Sequence, residues 1–317
     1  MGNRSKSSMM HDAPCLLSVA ICTYNRASFL RFLLESLVSQ ITEHQSVELL
    51  IIDNNSTDET GAIAAEFAQH FPFARALFCR EQGLSFARNH ALNEARGKWI
   101  AYIDDDAYAA PDWLHEGLRL IKEGKYDAFG GVYYPWYKDG KKSWFDDSFE
   151  SNASWLEITV EGRLKRGYFS GGNCFFKIGK LKAVKGFPIA LGMNGKSVGY
   201  GEETYTQRLM ALNGDVLGFS KRLIIHHYTP LEKQSIWWSC QRHVKYGQSF
   251  WGIYQKPLRY RMLYTLCKQE IVSTLQAIVV SKSKHKHIFC HLYVAARFMR
   301  LVGLLKGFIL GKLSTLK

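Results

Sequence analysis

The feature of this sequence that most restricts its fold is a recurring unit, a short apolar run ending in polar residues and followed by a longer amphipathic stretch. Leu17 to Thr23, Val47 to Asp53, Arg75 to Cys79, Trp99 to Asp104 and Tyr126 to Val132 read as five such strands. Apolar runs with little alternation belong to strands covered on both faces, as in parallel sheets. The stretches between them are helical. Phe29, Leu33, Leu34 and Leu37 fall on one face at helical spacing, and Ser56-Thr57-Asp58-Glu59 supplies the hydroxyl and carboxylate groups that open a helix. Strand and helix in alternation predict an α/β chain with a mainly parallel central sheet flanked by helices.

Past Val132 the rhythm gives way to Gly- and aromatic-rich segments in which Trp136, Trp144 and Trp155 flank charged turns. A strand signal returns at Asn173 to Lys177, a helical one at Glu203 to Leu212 and a last strand at Leu223 to His227. After Pro230 helical periodicity dominates. Residues 1–14 read as a polar, flexible N-terminus, 15–230 as the folded unit and 231–317 as a helical extension.

Charge divides along the same line. The 41 Lys and Arg exceed the 28 Asp and Glu to leave +13, yet residues 233–317 hold fifteen of the bases and only one acid, Glu270. That segment stands at +14 and the first 232 residues at −1, the asymmetry of a basic module facing an anionic partner. Within Ile288 to Leu313 the apolar residues are interrupted by Arg297, Arg300 and Lys306, too often for a spanning helix, which needs about 20 unbroken apolar residues. Such a helix either lies among lipid headgroups or packs on the body with a solvated basic face. A chain of 317 residues that is 47% hydrophobic can bury a large core, so disorder throughout is excluded. Seven Cys, none in a Cys-x-x-Cys pair, offer neither a complete disulfide framework nor a zinc ribbon, and residues 1–14 have no apolar stretch of signal-peptide length. The expectation is a cytoplasmic protein, peripheral on the inner face of the cell membrane.

The densest chemical signal is Ile100-Ala101-Tyr102-Ile103-Asp104-Asp105-Asp106, a strand delivered into three carboxylates. Ligands of open α/β sheets bind beyond the carboxyl ends of the strands. Three adjacent anions repel one another unless a cation compensates them, and an oxygen-rich cluster prefers Mg2+ or Mn2+ to zinc. An acidic turn leading into the helix near Pro111 is the alternative. Strand one ends in Thr23-Tyr24-Asn25-Arg26 and strand two in Asp53-Asn54-Asn55, so three strands release polar groups at one edge. The first turn lacks Gly-x-Gly-x-x-Gly, which weighs against NAD chemistry.

Leu17 to Arg26, Ile52-Asp53-Asn54-Asn55-Ser56-Thr57-Asp58, Ala87-Arg88-Asn89 and Asp104 to Asp106 together resemble the family 2 glycosyltransferases of the GT-A (Rossmann-like) fold, over roughly residues 16–250. The resemblance implies a metal-dependent hexosyltransferase using a nucleoside-diphosphate sugar, with a nucleotide-binding half at 15–132 and an acceptor half at 133–230. It implies that Thr23, Tyr24, Asn25, Arg26, Asp53, Asn55, Arg88, Asp104 and Asp105 hold the donor, with Asp53 compatible with uracil and a UDP-sugar favoured. It further implies that Asp106 coordinates Mn2+ or Mg2+ and places a His nearby, His227 before His226, although a His pair at a strand end is also a common hydrogen-bonded surface feature. Gly201-Glu202-Glu203-Thr204 stands where the family carries its acid pair. Glu203 is then the general base, with Glu202 as the substitute, and both also suit a helix N-terminus. A base opposite the leaving group implies inversion. Gly171-Gly172-Asn173 resembles an acceptor-side Gly-Gly-Asn and reads equally as a turn before a strand.

Two other stretches carry less. Ala190 to Ser197 is one residue from a phosphate-loop pattern but lies between Pro188 and Gly199, so it reads as an acceptor-side loop. Gln241-Arg242-His243 lacks the spacing and Trp of processive synthases, which points to one sugar per encounter. The acceptor expected is a glycan or lipid-linked saccharide in cell-surface polysaccharide synthesis, with an anionic membrane surface as partner and no nucleic acid. The competing classes are a nucleotidyltransferase acting on sugar phosphates, which would release pyrophosphate, and a nucleic-acid-binding protein using the basic extension.

Overall fold

A computed structural model describes residues 14–153, 161–164, 168–194, 199–254, 260–261, 263–269, 271–272 and 287–314. The expected flexible N-terminus up to residue 13, Trp155 and residues 195–198 of the loop before Gly199 lie outside the described residues.

The first half alternates as its sequence requires: β1 (Leu17–Thr23), α1 (Ala27–Thr42), β2 (Val47–Asp53), α2 (Thr60–His70), β3 (Ala74–Phe78), α3 (Leu84–Glu94) and β4 (Trp99–Asp104). These strands pair in the order β3-β2-β1-β4, all parallel. Alternate side chains feed two cores, one on each side of the sheet. Leu17, Val19 and Ile21 join Leu30, Leu33 and Leu37 of α1 on one side, whereas Ala20, Leu50 and Ile52 meet Ala87, Ala91 and Leu92 of α3 on the other. Burial on both faces is why these strands lack a polar face.

The second half adds β5 (Ala107–Ala109), α4 (Trp113–Glu123), β6 (Ala128–Trp136), β7 (Gly162–Arg163), β8 (Asn173–Lys177), α5 (Ile178–Ala183), α6 (Glu202–Leu212) and β9 (Leu217–Tyr228). The sheet continues β4-β8-β6-β9-β5, with β7 also on β9. Here the parallel rule is mixed. β8 runs antiparallel to both β4 and β6, and the described residues between β6 and β8 hold no crossover α-helix, whereas β6 and β9 are parallel. Register between β6 and β9 shifts at Gly131/Val132, where a Cβ on Gly131 would lie 1.9 Å from Leu223 O. β5 pairs antiparallel with the end of β9, matching Ala107 to His227. That short pairing carries the residues after the acidic triplet onto the last strand.

The basic extension forms α7 (Ile236–Tyr254) and α8 (His287–Ser314), which pack together along a seam of glycines. A Cβ on Gly303 would stand 2.0 Å from Val244 O and one on Gly247 2.3 Å from Arg300 O, so the backbones touch where larger residues would hold them apart. Leu304 and Phe308 are buried against α7, and Trp251 Nε1 donates to Leu304 O at 3.0 Å. The opposite face of α8 exposes Phe298, Leu305, Ile309 and Leu310. Packing on α7 and presenting an apolar surface are therefore properties of two faces of one helix. Among the described residues no helix is long and apolar enough to cross a membrane.

Candidate active site

Each parallel strand ends in a turn braced by its neighbour. Asn25 and Asn55 take left-handed backbone conformations, φ 52° and 64°, which Asn tolerates better than most residues. Asn25 Oδ1 accepts from Thr57 N at 2.8 Å and Asp53 Oδ1 from Ser56 N at 3.0 Å, so the β1 and β2 turns are stitched together. Asn54 is buried between them, with Nδ2 donating to Glu81 O at 2.6 Å and Oδ1 accepting from Gly83 N at 2.7 Å. Sequence reasoning chose the exposed Asn55 and passed over Asn54, which holds the β3–α3 loop against this edge. Tyr24 is 37% exposed beside this braced turn, and Thr23 before it is buried.

The acidic triplet meets β9 at its tip. His227 Nε2 stands 3.1 Å from Asp106 Oδ1 and 4.0 Å from Asp104 Oδ2, and ligand atoms of all three residues lie within 4.8 Å of one another. Tyr228 N donates to Asp106 O at 2.8 Å, the bond that fixes this meeting. His226, one residue away on an alternating strand, faces elsewhere and stacks on Tyr108 at 4.6 Å. Two carboxylates and an imidazole at this spacing fit one divalent cation with bonds of about 2.1 Å, and the oxygen-rich set suits Mg2+ or Mn2+. The third donor is Asp104, read from sequence as donor-binding.

Charge in the triplet is unevenly held. Burial opposes ionisation of Asp106, but His227, Lys233 and Arg26 outweigh it and keep the carboxyl well below its ordinary range. Asp105 moves the other way, pushed up to about 7 by burial and by Asp106. Its Oδ2 accepts from Tyr24 N at 3.4 Å, and Arg26 reaches both carboxylates, 3.8 Å to Asp105 and 3.5 Å to Asp106.

On the other side of Asp104 lies a buried ion pair. Arg88 is enclosed, its guanidinium 5.3 Å from the Phe187 ring centroid, and donates to Glu202 Oε1 at 2.7 Å while standing 3.7 Å from Asp104. Burial alone would discourage its charge, yet Glu202 and Asp104 hold the guanidinium firmly protonated. Glu202 is thus occupied by Arg88. Its neighbour Glu203 is pushed up to about 8 by burial and by the Glu202 charge. The acid pair thus holds one carboxyl of high proton affinity and one locked in an ion pair.

Gly171 and Gly172 are required by close approach. A Cβ at Gly172 would lie 2.0 Å from Asp104 Oδ2 and one at Gly171 2.8 Å from the Arg88 guanidinium. Asn173 differs from its acceptor-side reading. It is fully buried, with Oδ1 accepting from Trp113 Nε1 at 2.8 Å and Nδ2 donating to Val132 O and Leu223 O, so its side chain braces the sheet and leaves nothing for a ligand. Trp136 packs edge-on to Phe32 and Tyr108 as part of an aromatic cluster at the rim.

Comparison with known proteins agrees with this geometry. The succinoglycan biosynthesis protein ExoM of Rhizobium meliloti (strain 1021) is 23% identical over 235 residues, 74% of this chain and 73% of its own. The uncharacterized glycosyltransferase YibD of Escherichia coli (strain K12) is 37% identical over 111 residues, 35% of this chain, which spans only 32% of that relative. Among solved structures, the mannosyltransferase PcManGT from Pyrobaculum calidifontis, in complex with GDP-Man and Mn2+, superposes with a TM-score of 0.64 at 17% identity, covering 91% of this chain and 86% of its own. S. aureus TarS 1-349 in complex with UDP-GlcNAc gives 0.52 at 20% identity, covering 68% and 58%. These likenesses show the GT-A fold. The profile described as Glycosyl transferase family 2 matches residues 18–185, more than half of the sequence, and the chain belongs to that family.

Proposed function

We propose that this protein is a metal-dependent, inverting glycosyltransferase that moves a hexose from a nucleoside-diphosphate sugar to a glycan or lipid-linked acceptor during cell-surface polysaccharide synthesis. The observation that carries the reading is the convergence of Asp104, Asp106 and His227 at the strand edge that also holds Arg88, Glu202 and Glu203. Support for the donor class comes from the PcManGT and TarS complexes with GDP-Man and UDP-GlcNAc, and for the process from ExoM, a succinoglycan biosynthesis protein.

In this reading Tyr24 packs near the base, Asp53 accepts from it, and Arg26 faces the phosphates. Asp104, Asp106 and His227 would hold Mn2+ or Mg2+, which when bound supplies positive charge against the negative charge developing on the departing diphosphate. Glu203 accepts the proton of the attacking acceptor hydroxyl, and its raised proton affinity suits that task near neutral pH. Arg88 holds Glu202 in place beside it through their 2.7 Å ion pair. Attack from the side opposite the leaving group inverts the anomeric carbon. The exposed apolar face of α8 and the basic balance of 233–317 favour work at the inner membrane surface, where bases meet lipid phosphates.

The test is a panel of nucleotide sugars with the purified protein, with Mn2+ and with EDTA. Free nucleoside diphosphate released only with the metal, and a product of inverted anomeric configuration by proton NMR, are expected. Release of pyrophosphate would identify a nucleotidyltransferase instead.

A further inference from the structure

Helix α7 is used on two faces. Gly247 and Trp251 meet α8, whereas Arg242, Tyr246 and Ile253, which recur at helical spacing on the opposite side, meet the sheet-bearing unit. Arg242 anchors the first of these contacts. Its guanidinium pairs with the buried Glu150 and donates to Phe149 O at 3.0 Å, both in the segment after β6.

One turn further along α7, the Tyr246 ring stacks on Tyr200, with centroids 5.0 Å apart and planes 16° from parallel. Two turns beyond that, Ile253 is buried against Gly201, where a Cβ would lie 2.2 Å from its Cδ1. Gly252 faces the loop beside it, with a Cβ position 3.0 Å from Leu191 Cδ2, and the Cβ position of Gly192 in that loop is 3.1 Å from Glu202 Oε2.

Tyr200 and Gly201 are the two residues immediately before the acid pair. Gly201 opens α6 in a left-handed conformation, φ 95° and ψ 18°, and offers no side-chain cap. The direction in which Glu202 and Glu203 leave this turn therefore depends on what holds Tyr200 and Gly201 from outside. Glu202 has a separate anchor in Arg88. The titratable groups facing the Glu203 carboxyl are Glu202 on its own helix, Arg88 of α3, Cys174 of β8 and Tyr246 of α7. Tyr246 alone among them comes from the basic extension. Its phenol is held above the ordinary range by desolvation of the hydroxyl and by the Glu203 charge.

We infer that Tyr246 and Ile253 are positioning residues for the Glu203 carboxyl, acting through Tyr200 and Gly201, so that the first helix of the basic extension forms a wall of the reactive centre. The role of Glu203 as base rests on the glycosyltransferase reading, and its placement by α7 rests on these contacts alone. Moving a reacting group by about 1 Å is enough to cost about 10^2-fold in rate.

The test uses the full-length protein labelled with [δ-13C]glutamate, the Glu203 signal being identified by its loss in Glu203→Gln. In the wild type that carboxyl should titrate at about 8. Tyr246→Ala should lower the midpoint by about one pH unit or more as water reaches the carboxyl, and Tyr246→Phe, which keeps the stacked ring, should restore it. Tyr246 is 36% exposed, so the fold tolerates both changes. With the donor that the nucleotide-sugar panel selects, Tyr246→Ala should lower kcat about 10- to 100-fold and the milder Ile253→Val about threefold. The donor dissociation constant should stay within about twofold in both. The assignment is overturned if Tyr246→Ala leaves the Glu203 titration where the wild type has it, or if Tyr246→Phe fails to restore it. It is also overturned if donor affinity falls in step with kcat, which would mark a general loosening of the fold. A Glu203 midpoint that moves as expected in a protein that consumes no nucleotide sugar would keep the positioning role and end the glycosyltransferase reading.

Discussion

The two halves of the sheet-bearing unit hold their polar groups differently. In residues 15–132 the polar groups at the strand ends are braced within that half, Asn25 to Thr57, Asp53 to Ser56 and Asn54 to the β3–α3 loop. In residues 133–230 the polar groups reach across instead, His227 to Asp106 and Glu202 to Arg88. The first half is a self-braced cradle, and the second adds its side chains to it. Substitutions that break a cross-half contact should therefore damage catalysis, and substitutions within the cradle should damage stability.

The largest effect is expected at the first crossing. Asp106→Ala should lower turnover by about 10^3-fold or more and remove the Mn2+ dependence of donor binding together, read by product assay and calorimetric titration. Retained turnover would sever the metal from the reaction. Glu203→Gln should cost about 10^2- to 10^4-fold in kcat while the donor dissociation constant stays near that of the wild type. Its pH profile sharpens the point. A base pushed up to about 8 works only when ionised, so wild-type kcat should climb as pH rises through that region, and the climb should vanish in the variant. The same proton is held more tightly by the folded chain than by the unfolded one, so Glu203 withdraws stability as pH rises from its ordinary range toward 8.

Glu202→Gln breaks the second cross-half contact, and because its partner is buried, stability is lost along with it. Removing the partner of a buried guanidinium should destabilise the fold by about 3–5 kcal/mol in denaturant titration, whatever it does to rate. If it leaves stability unchanged and abolishes turnover, the roles of Glu202 and Glu203 are reversed. Asn54→Ala leaves Glu81 O and Gly83 N without their partner and should cost about 1–3 kcal/mol with little change in kcat. Smallest in stability is Phe298→Ser on the exposed face of α8, within about 0.5 kcal/mol, yet it should weaken sedimentation with anionic vesicles. Unaltered sedimentation would leave that face without a membrane role.

What the sequence disclosed follows the same division. β1, β2, β4 and β8 have the bounds read from their apolar runs, because burial on both sides leaves the pattern uninterrupted. The polar groups at β1, β2 and β4 were legible because strand ends in such sheets are where ligands bind. β5 was not, since three residues acquire strand character only by pairing with β9. Nor was the start of β9 at Leu217, masked by the exposed Lys221 and Arg222 at its irregularity. Asn54 and Asn55 are adjacent and chemically identical, and nothing local says which turns inward. The alternation of β9 could have separated His227 from His226, whereas the pairing of Glu202 with Arg88 depends on two helices meeting and has no local signature.

The short ladder between β5 and β9 reaches further than its length implies. Asp106 sits at one of its ends and His227 on the other strand, so the strand-end turns of β1, β2 and β4 all precede in the chain the residue that completes the Asp104, Asp106 and His227 group. Synthesis must run through Tyr228, and that strand must dock, before the ion-binding set exists. A chain ending before His227 would keep the strand ends of β1, β2 and β4 and lack the imidazole that meets Asp106.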